Sequence, residues 1–211
     1  MIRSTLARLF ELSSGALKGG DADPEGAEAR RLQAVEGTGL FGQAAPPEIE
    51  AICQTVRDEF RVDMAMVTLL GRDKLFVTAQ VGCHFREAPR TVAFCDHTIR
   101  SDRVLVVPDL TKDDRFRANS LVLGDPFVRF YAGAPLIYFR NVRLGSLCLL
   151  HASPRTFSAA DGRRLAGLAA KVANLILEQE MDSKTAALMA DLPEAHRRIG
   201  SGHGVPKCSL A

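Results

Sequence analysis

Two apolar runs near the middle of the chain constrain its fold more than any other feature. Arg129-Phe130-Tyr131-Ala132-Gly133-Ala134-Pro135-Leu136 carries one charge, at its head. Gly145-Ser146-Leu147-Cys148-Leu149 begins nine residues later and is entered through glycine. The polar tip Arg140-Asn141 lies between them. Runs rich in strand formers and joined by a short polar connection read as an antiparallel hairpin. The pattern predicts strands over Phe130 to Tyr138 and Val142 to Leu150.

A second hairpin is predicted upstream. Val62 to Leu70 is rich in Val, Met and Leu, Gly71-Arg72-Asp73 supplies the turn, and Leu75 to Val81 returns. A short strand at Val104 to Val107 is stopped by Pro108, and Cys95 to Arg100 is predicted as a short helix. Two longer helices flank these strands. Pro46-Pro47 suits a first helical turn, and Ile49, Ile52, Cys53, Val56 and Phe60 follow at helical spacing. After Ser158, a candidate cap with Asp161 in the first turn, one face carries Leu165, Leu168, Ala169, Val172, Leu175 and Ile176. That helix is predicted to run as far as Leu188.

Charge and cysteine usage exclude several classes. The 27 basic and 25 acidic residues leave a net charge of +2, so nothing announces a nucleic-acid partner. No apolar run approaches the roughly 18 residues of a membrane span, so no membrane partner is expected. Five cysteines, Cys53, Cys83, Cys95, Cys148 and Cys208, are irregularly spaced without CxxC. This points to free thiols in a reducing, cytoplasmic compartment.

The ends read separately. Residues 2–12 fit a short amphipathic helix that frays or docks on a partner. Gly19-Gly20 and Asp21 to Gly26 read as a linker. Ser201 to Lys207 is polar and reads as disordered. Cys208-Ser209-Leu210-Ala211 matches the outline of a prenylation signal, with serine a poor second residue and chance the better explanation.

The order and spacing of these segments resembles the GAF domain family, in particular the sensory GAF domains of bacterial signalling proteins. The resemblance runs from Glu28-Ala29-Arg30-Arg31-Leu32 to about Glu180. It passes through Glu87-Ala88-Pro89-Arg90, Phe94 to Ile99, Val106 to Asp109, Asp114-Arg115-Phe116 with Asn119, both apolar runs, and Pro154 to Ser158. It implies an α+β fold, with a central antiparallel sheet, terminal helices packed on one face and a ligand-pocket loop region on the other. The expected layout is an extension over 1–27, the GAF domain over 28–181, and a helix extension with a tail over 182–211. The family also implies a homodimer built on the helices at 48–60 and 158–188; the alternative is that this stripe only covers its own sheet. Such domains usually regulate a joined output domain. With about 30 residues after the core, action on a partner in trans is expected here, unless the chain is a fragment.

The resemblance places the pocket between Cys83 and Tyr131. Its candidate residues are Phe94, Cys95, His97, Thr98, Asp109, Phe116, Asn119, Arg129 and Tyr131. Aromatic walls with a few polar groups suit a small-molecule ligand. Arg129 could clamp a carboxylate or phosphate, and Asp109 could accept from an amine or a ribose hydroxyl. Each has a plainer reading. Phe94 and Phe130 can be core, Asp109 a turn cap, Asn119 a loop tie and His97 a hydrogen-bonded structural histidine. Arg129 can pin the loops through Asp109 or Asp114.

The thiols open an alternative. Cys95 sits near a helix start, which lowers a thiol pKa, and with Cys83 it could serve a thiol reductase resembling the family's free methionine sulfoxide reductases. The cysteine motifs of those enzymes do not align here, and Cys148 reads as buried and inert, so no catalysis is expected. Bilin attachment at Cys83-His84, haem through His84 or His97, and zinc held by Cys83, His84, Cys95 and His97 are weaker readings, and the cofactor stays unknown. The expected function is a small-molecule-binding regulatory module. The third alternative is a ligand-free scaffold, in which large side chains at 94, 116 and 130 meet and fill the pocket.

Overall fold

A computed structural model of the chain describes residues 24–139 and 142–190. The expectations for residues 2–12, Gly19 to Asp23, the tip Arg140-Asn141, Ser201 to Lys207 and the last four residues lie outside the described residues. The architecture is α+β, as the sequence implied.

Six strands form one antiparallel sheet. They are β1 (Met64–Leu70), β2 (Lys74–Val81), β3 (Glu87–Pro89), β4 (Leu105–Val107), β5 (Phe130–Ile137) and β6 (Arg143–His151), in the spatial order β3-β2-β1-β6-β5-β4. Both predicted hairpins are present, β1–β2 and β5–β6. The edge strand β3 has only three residues, one of them proline, too short for a period-2 pattern to reveal.

Period 2 along each central strand assigns its side chains to two cores. On β1, Ala65, Val67 and Leu69 face one side, and Met64, Met66 and Leu70 the other. The first face is covered by α2 (Pro47–Phe60) and α5 (Ala159–Ala190). The predicted stripes do this work: Ile49, Cys53, Val56 and Phe60 from α2, and Leu165, Leu168, Ala169, Val172 and Ile176 from α5, are buried there. A capping box opens α5. Asp161 N–H donates to Ser158 Oγ (3.1 Å), and Ser158 N–H donates to Asp161 Oδ2 (2.9 Å). Near its other end the buried carboxylate of Glu180 accepts from Tyr138 and from Lys184. Beyond that point every residue of α5 is exposed.

The expected linker over Asp21 to Gly26 is corrected in part, because α1 (Pro24–Gly37) already begins at Pro24. Proline is a good first helical residue, and a composition reading mistakes it for a breaker. Helix α1 is tied down by charge more than by apolar area. Buried Arg31 donates to the Leu70 carbonyl (2.6 Å) and to Glu28 (2.7 and 2.8 Å). Arg90 donates to Glu28 (2.5 Å), to Asp96 (2.7 Å) and to the Gly71 carbonyl (3.1 Å). The network joins α1, the β1–β2 turn and α3 (Phe94–Thr98).

That network gives stability a pH dependence. The hydrogen bond from Arg31 outweighs burial and, with Arg90, lowers the Glu28 pKa from 4.5 to about 2. Burial pushes Asp96 up, but Arg100 and Arg90 hold it below its ordinary value. A carboxylate whose folded pKa is depressed stabilises fully above its unfolded pKa and loses that contribution as pH falls through the folded one. For Glu28 the window runs from about 4.5 down to about 2. Because Glu28 is about one-third exposed, the expected contribution is about 1 kcal/mol. Urea midpoints measured between pH 7 and pH 3 should fall less in Glu28→Gln than in the wild type. Equal slopes would rule the network out as the cause.

Candidate functional site

The second sheet face carries Met66, Thr68, Ser146, Cys148, Leu150 and Tyr131 as a floor. Its roof is made of short pieces: the Cys83–Phe85 loop, α3, and α4 (Ser120–Leu123). Between floor and roof lies a cavity of about 30 Å³, lined by these floor residues except Ser146, and by Leu75, Phe85, Ala88, Val92, Phe94, Cys95 and Leu121 among others. That volume suits about one water, whereas small-molecule pockets commonly reach roughly 300 Å³ or more.

Aromatic rings account for the difference. Phe94 packs edge-on against Phe116, with centroids 5.2 Å apart, and against Tyr131 at 5.3 Å. The ring of His97 stands on Phe116 at 4.8 Å. The scaffold reading placed Phe130 in this group, and the structure corrects that. Phe130 and Tyr131 are consecutive on β5 and face opposite sides, so Phe130 points to the helix side and packs on Phe157 at 5.7 Å.

Of the nine candidate residues, Phe94, Cys95 and Tyr131 line the cavity. Thr98 and Phe116 stand directly behind them, with Thr98 Oγ1 hydrogen-bonded to the Tyr131 hydroxyl (2.6 Å). His97 faces outward. Burial, then the Arg100 charge, pulls its pKa below the ordinary value.

The remaining three tie loops. Asp109 accepts from Thr111 N–H (3.1 Å) and Oγ1 (2.6 Å) and pairs with Lys112. Asn119 caps α4 and donates to the Val92 carbonyl (2.9 Å), stitching α4 to the segment before α3. Arg129 donates to the carbonyls of Val122 (2.7 Å) and Val128 (3.2 Å). Arg129 does not pair with Asp109 or Asp114, which are paired with Lys112 and Arg117. The guanidinium satisfies backbone carbonyls that a tight loop leaves without partners.

The floor was missed because β1 is buried along its whole length, which hides its two faces. Thr68 and Ser146 gave the only signal, as hydroxyls inside apolar strands. They pair across β1–β6 and share a hydrogen bond of 3.2 Å.

Four groups converge on the Cys95 sulfur. Hydrogen bonds from Cys148, Ser146, Thr68 and Tyr131, the Cys148 contribution largest, lower its pKa to about 6 against complete burial. Cys148, losing that competition to Cys95 and buried, is pushed well up. Cys83 is also raised by burial, and Cys53 is raised to about 12. Among the described residues, no three or more His, Cys, Asp or Glu side chains are grouped to hold a metal ion.

An open cleft of about 490 Å³ lies outside, beside Arg72, Arg90, Asp96, His97 and Arg100. It is larger than the inner cavity, but Arg90 and Arg100 are already spent on Glu28 and Asp96.

Comparison with known proteins agrees with this geometry. The GAF domain profile matches residues 47–176. A cyclic di-GMP phosphodiesterase of Pseudomonas aeruginosa is 36% identical over 132 residues, which is 63% of this chain and 22% of that protein. The chain thus spans about a fifth of that relative. The GAF domain of an Acinetobacter phosphoenolpyruvate-protein phosphotransferase superposes with a TM-score of 0.54 at 16% identity, covering 75% of this chain and 95% of that one. A type II free methionine-R-sulfoxide reductase from Thermoplasma acidophilum superposes at 0.53 and 18% identity, covering 63% and 92%. No described helix is long and apolar enough to cross a membrane.

Proposed function

The chain belongs to the GAF domain family of signalling modules, and from that premise we propose that it is a non-catalytic small-molecule sensor. The observation that carries this reading is the asymmetry of the cavity. Its floor is a continuous antiparallel sheet, while its roof is short helices and loops held by a few side-chain-to-carbonyl hydrogen bonds. Such a roof opens at low cost relative to the floor. A ligand enters by displacing the Phe94 ring and shifting α3 and α4, a population shift driven by higher affinity for the open state.

The signal leaves through α5, whose first half packs on the sheet and whose last ten residues are exposed, Met181, Leu188 and Met189 among them. Met181 and Leu188 are seven residues apart, the repeat of a helix-pair seam. We read this segment as the homodimer contact. The output it governs is an activity of the class named for the Pseudomonas relative, the turnover of a cyclic dinucleotide.

A second reading is favoured by the ring cluster Phe94–Phe116–Tyr131. If that plug is permanent, the module is an interaction scaffold. Native mass spectrometry of protein purified gently from its own host separates the two. The sensor reading expects a dimer carrying a discrete non-covalent mass. A bare protein that takes up no metabolite from a cell extract favours the scaffold.

A further inference from the structure

Two thiols from distant parts of the chain share the polar nest under the cavity. Cys95 stands on α3 and Cys148 on β6, and the two are buried in the same cluster. Both line the cavity. The Thr68 hydroxyl donates to the Cys95 sulfur at 3.3 Å and the Tyr131 hydroxyl lies 3.8 Å from it. Cys148 donates to the Met66 carbonyl at 3.6 Å. The neighbouring groups are hydroxyls, thiols and apolar side chains; no charged side chain lines this cavity.

We propose that Cys95 and Cys148 form a hydroperoxide-oxidised thiol pair, a modification site that ties α3 to the sheet when oxidised. The geometry supplies each requirement. The cavity, at about 30 Å³, admits a molecule of roughly one or two oxygen atoms and excludes larger oxidants. Hydroxyl donors beside Cys95 stabilise its thiolate, which is the nucleophile. A second sulfur, that of Cys148, lines the same small cavity and can resolve the first.

The chemistry balances in two steps. The Cys95 thiolate attacks one oxygen of the hydroperoxide. An S–O bond forms, the O–O bond breaks, and the leaving oxygen takes a proton to depart as water. Cys95 is then a sulfenic acid. The Cys148 sulfur attacks it, an S–S bond forms, the S–O bond breaks, and the hydroxyl leaves as water with the Cys148 proton. Two thiols have lost two electrons and two protons, and the hydroperoxide has gained them. The disulfide joins roof to floor across the cavity. This proposal stands whether or not a larger ligand enters there.

The test is peptide mapping of the reduced full-length protein after graded hydrogen peroxide, without denaturant. The expected first product is a disulfide-linked pair of peptides containing Cys95 and Cys148, formed before Cys53 or Cys83 changes and reversed by dithiothreitol. In Cys148→Ser, Cys95 should be trapped as its sulfenic acid when the oxidised protein is then unfolded in the presence of dimedone. Tyr131→Phe, which removes one donor to Cys95, should slow oxidation several-fold. The proposal is overturned if Cys83 is modified while Cys95 stays reduced. It is equally overturned if Cys95 in the native chain reaches the sulfinic acid without a cross-link to Cys148. Mapping of the wild type decides the matter alone should Cys148→Ser fail to fold.

Discussion

Gly145→Ala should cost about 3 kcal/mol or more and leave little folded protein at 37 °C, a loss large against the 5–15 kcal/mol of a typical domain. A methyl group there would stand 1.8 Å from the Thr68 carbonyl oxygen and 2.9 Å from the Leu69 Cα. Both are backbone atoms of β1, the strand paired with β6 at this point through Leu69 and Gly145. A flexible side chain could turn aside, but this backbone cannot. β1 is held by β2 on its other edge and by a core on each face. The β1–β2 register shifts between Val67 and Thr68, so the approach of Gly145 coincides with a local irregularity. A glycine inside a strand often marks such a close approach. The control is Gly162→Ala in α5, where the added methyl meets nothing within 4 Å. Alanine there should stabilise by about 0.5–1 kcal/mol through helix propensity. Urea unfolding followed by circular dichroism reads both. A Gly145→Ala midpoint close to wild type would mean that β1 and β6 do not approach as described.

The same two strands show how far the chain could be read in advance. Gly145 announced itself as the entry to a strand, and the hairpins, the flanking helices and the Ser158–Asp161 cap follow from local rules that residues obey regardless of tertiary context. What local rules do not carry is which face of a strand meets which core. β1 is apolar on both sides apart from Thr68, so only that hydroxyl hinted at a polar floor, and Met66 gave no sign that it lines a cavity. Phe130 was grouped with Phe94 and Phe116 because proximity in sequence hides the period of 2. Arg31 and Arg90 were equally opaque, since a buried or half-buried arginine is fixed by partners 39 and 62 residues away. In the site three polar candidates share one behaviour. The polar atoms of Asp109, Asn119 and Arg129 go to loop groups: Thr111 and Lys112, the Val92 carbonyl, and the carbonyls of Val122 and Val128. Irregular segments carry donors and acceptors that no ladder satisfies, so a polar residue in a loop is first a partner for that loop. The residues that did reach the cavity, Phe94, Cys95 and Tyr131, are the apolar or ambivalent ones.

Phe94→Ala should lower stability by about 3–4 kcal/mol, the usual range for truncating a buried aromatic side chain. Phe94 is 3% exposed and is the ring that meets both Phe116 and Tyr131. Its loss removes an edge-on and a tilted ring contact together with burial, and the sheet beneath is too constrained to collapse into the space. A void should remain and join the existing cavity. Apolar voids of this kind accept small aromatic guests. Indole or benzene should therefore raise the urea midpoint of Phe94→Ala, by about 2.7 kcal/mol at a hundredfold excess over the dissociation constant, and leave the wild type unchanged. The variant also separates gate from plug. If Phe94 is a gate, the closed ring taxes binding, because the apparent affinity falls with the fraction of open molecules. Removing the ring should then tighten binding of the host-derived ligand relative to the wild type. Amide exchange across Phe94–Thr98 should stay close to that of the wild type, because α3 keeps its Asp96 and Thr98 anchors. If Phe94 is instead a permanent plug, α3 should lose its protection and no ligand should gain affinity. Stability falls in both cases; a gate gives tighter binding with protection kept, a plug gives lost protection with no gain in affinity, and that pair of readings assigns the role of the ring.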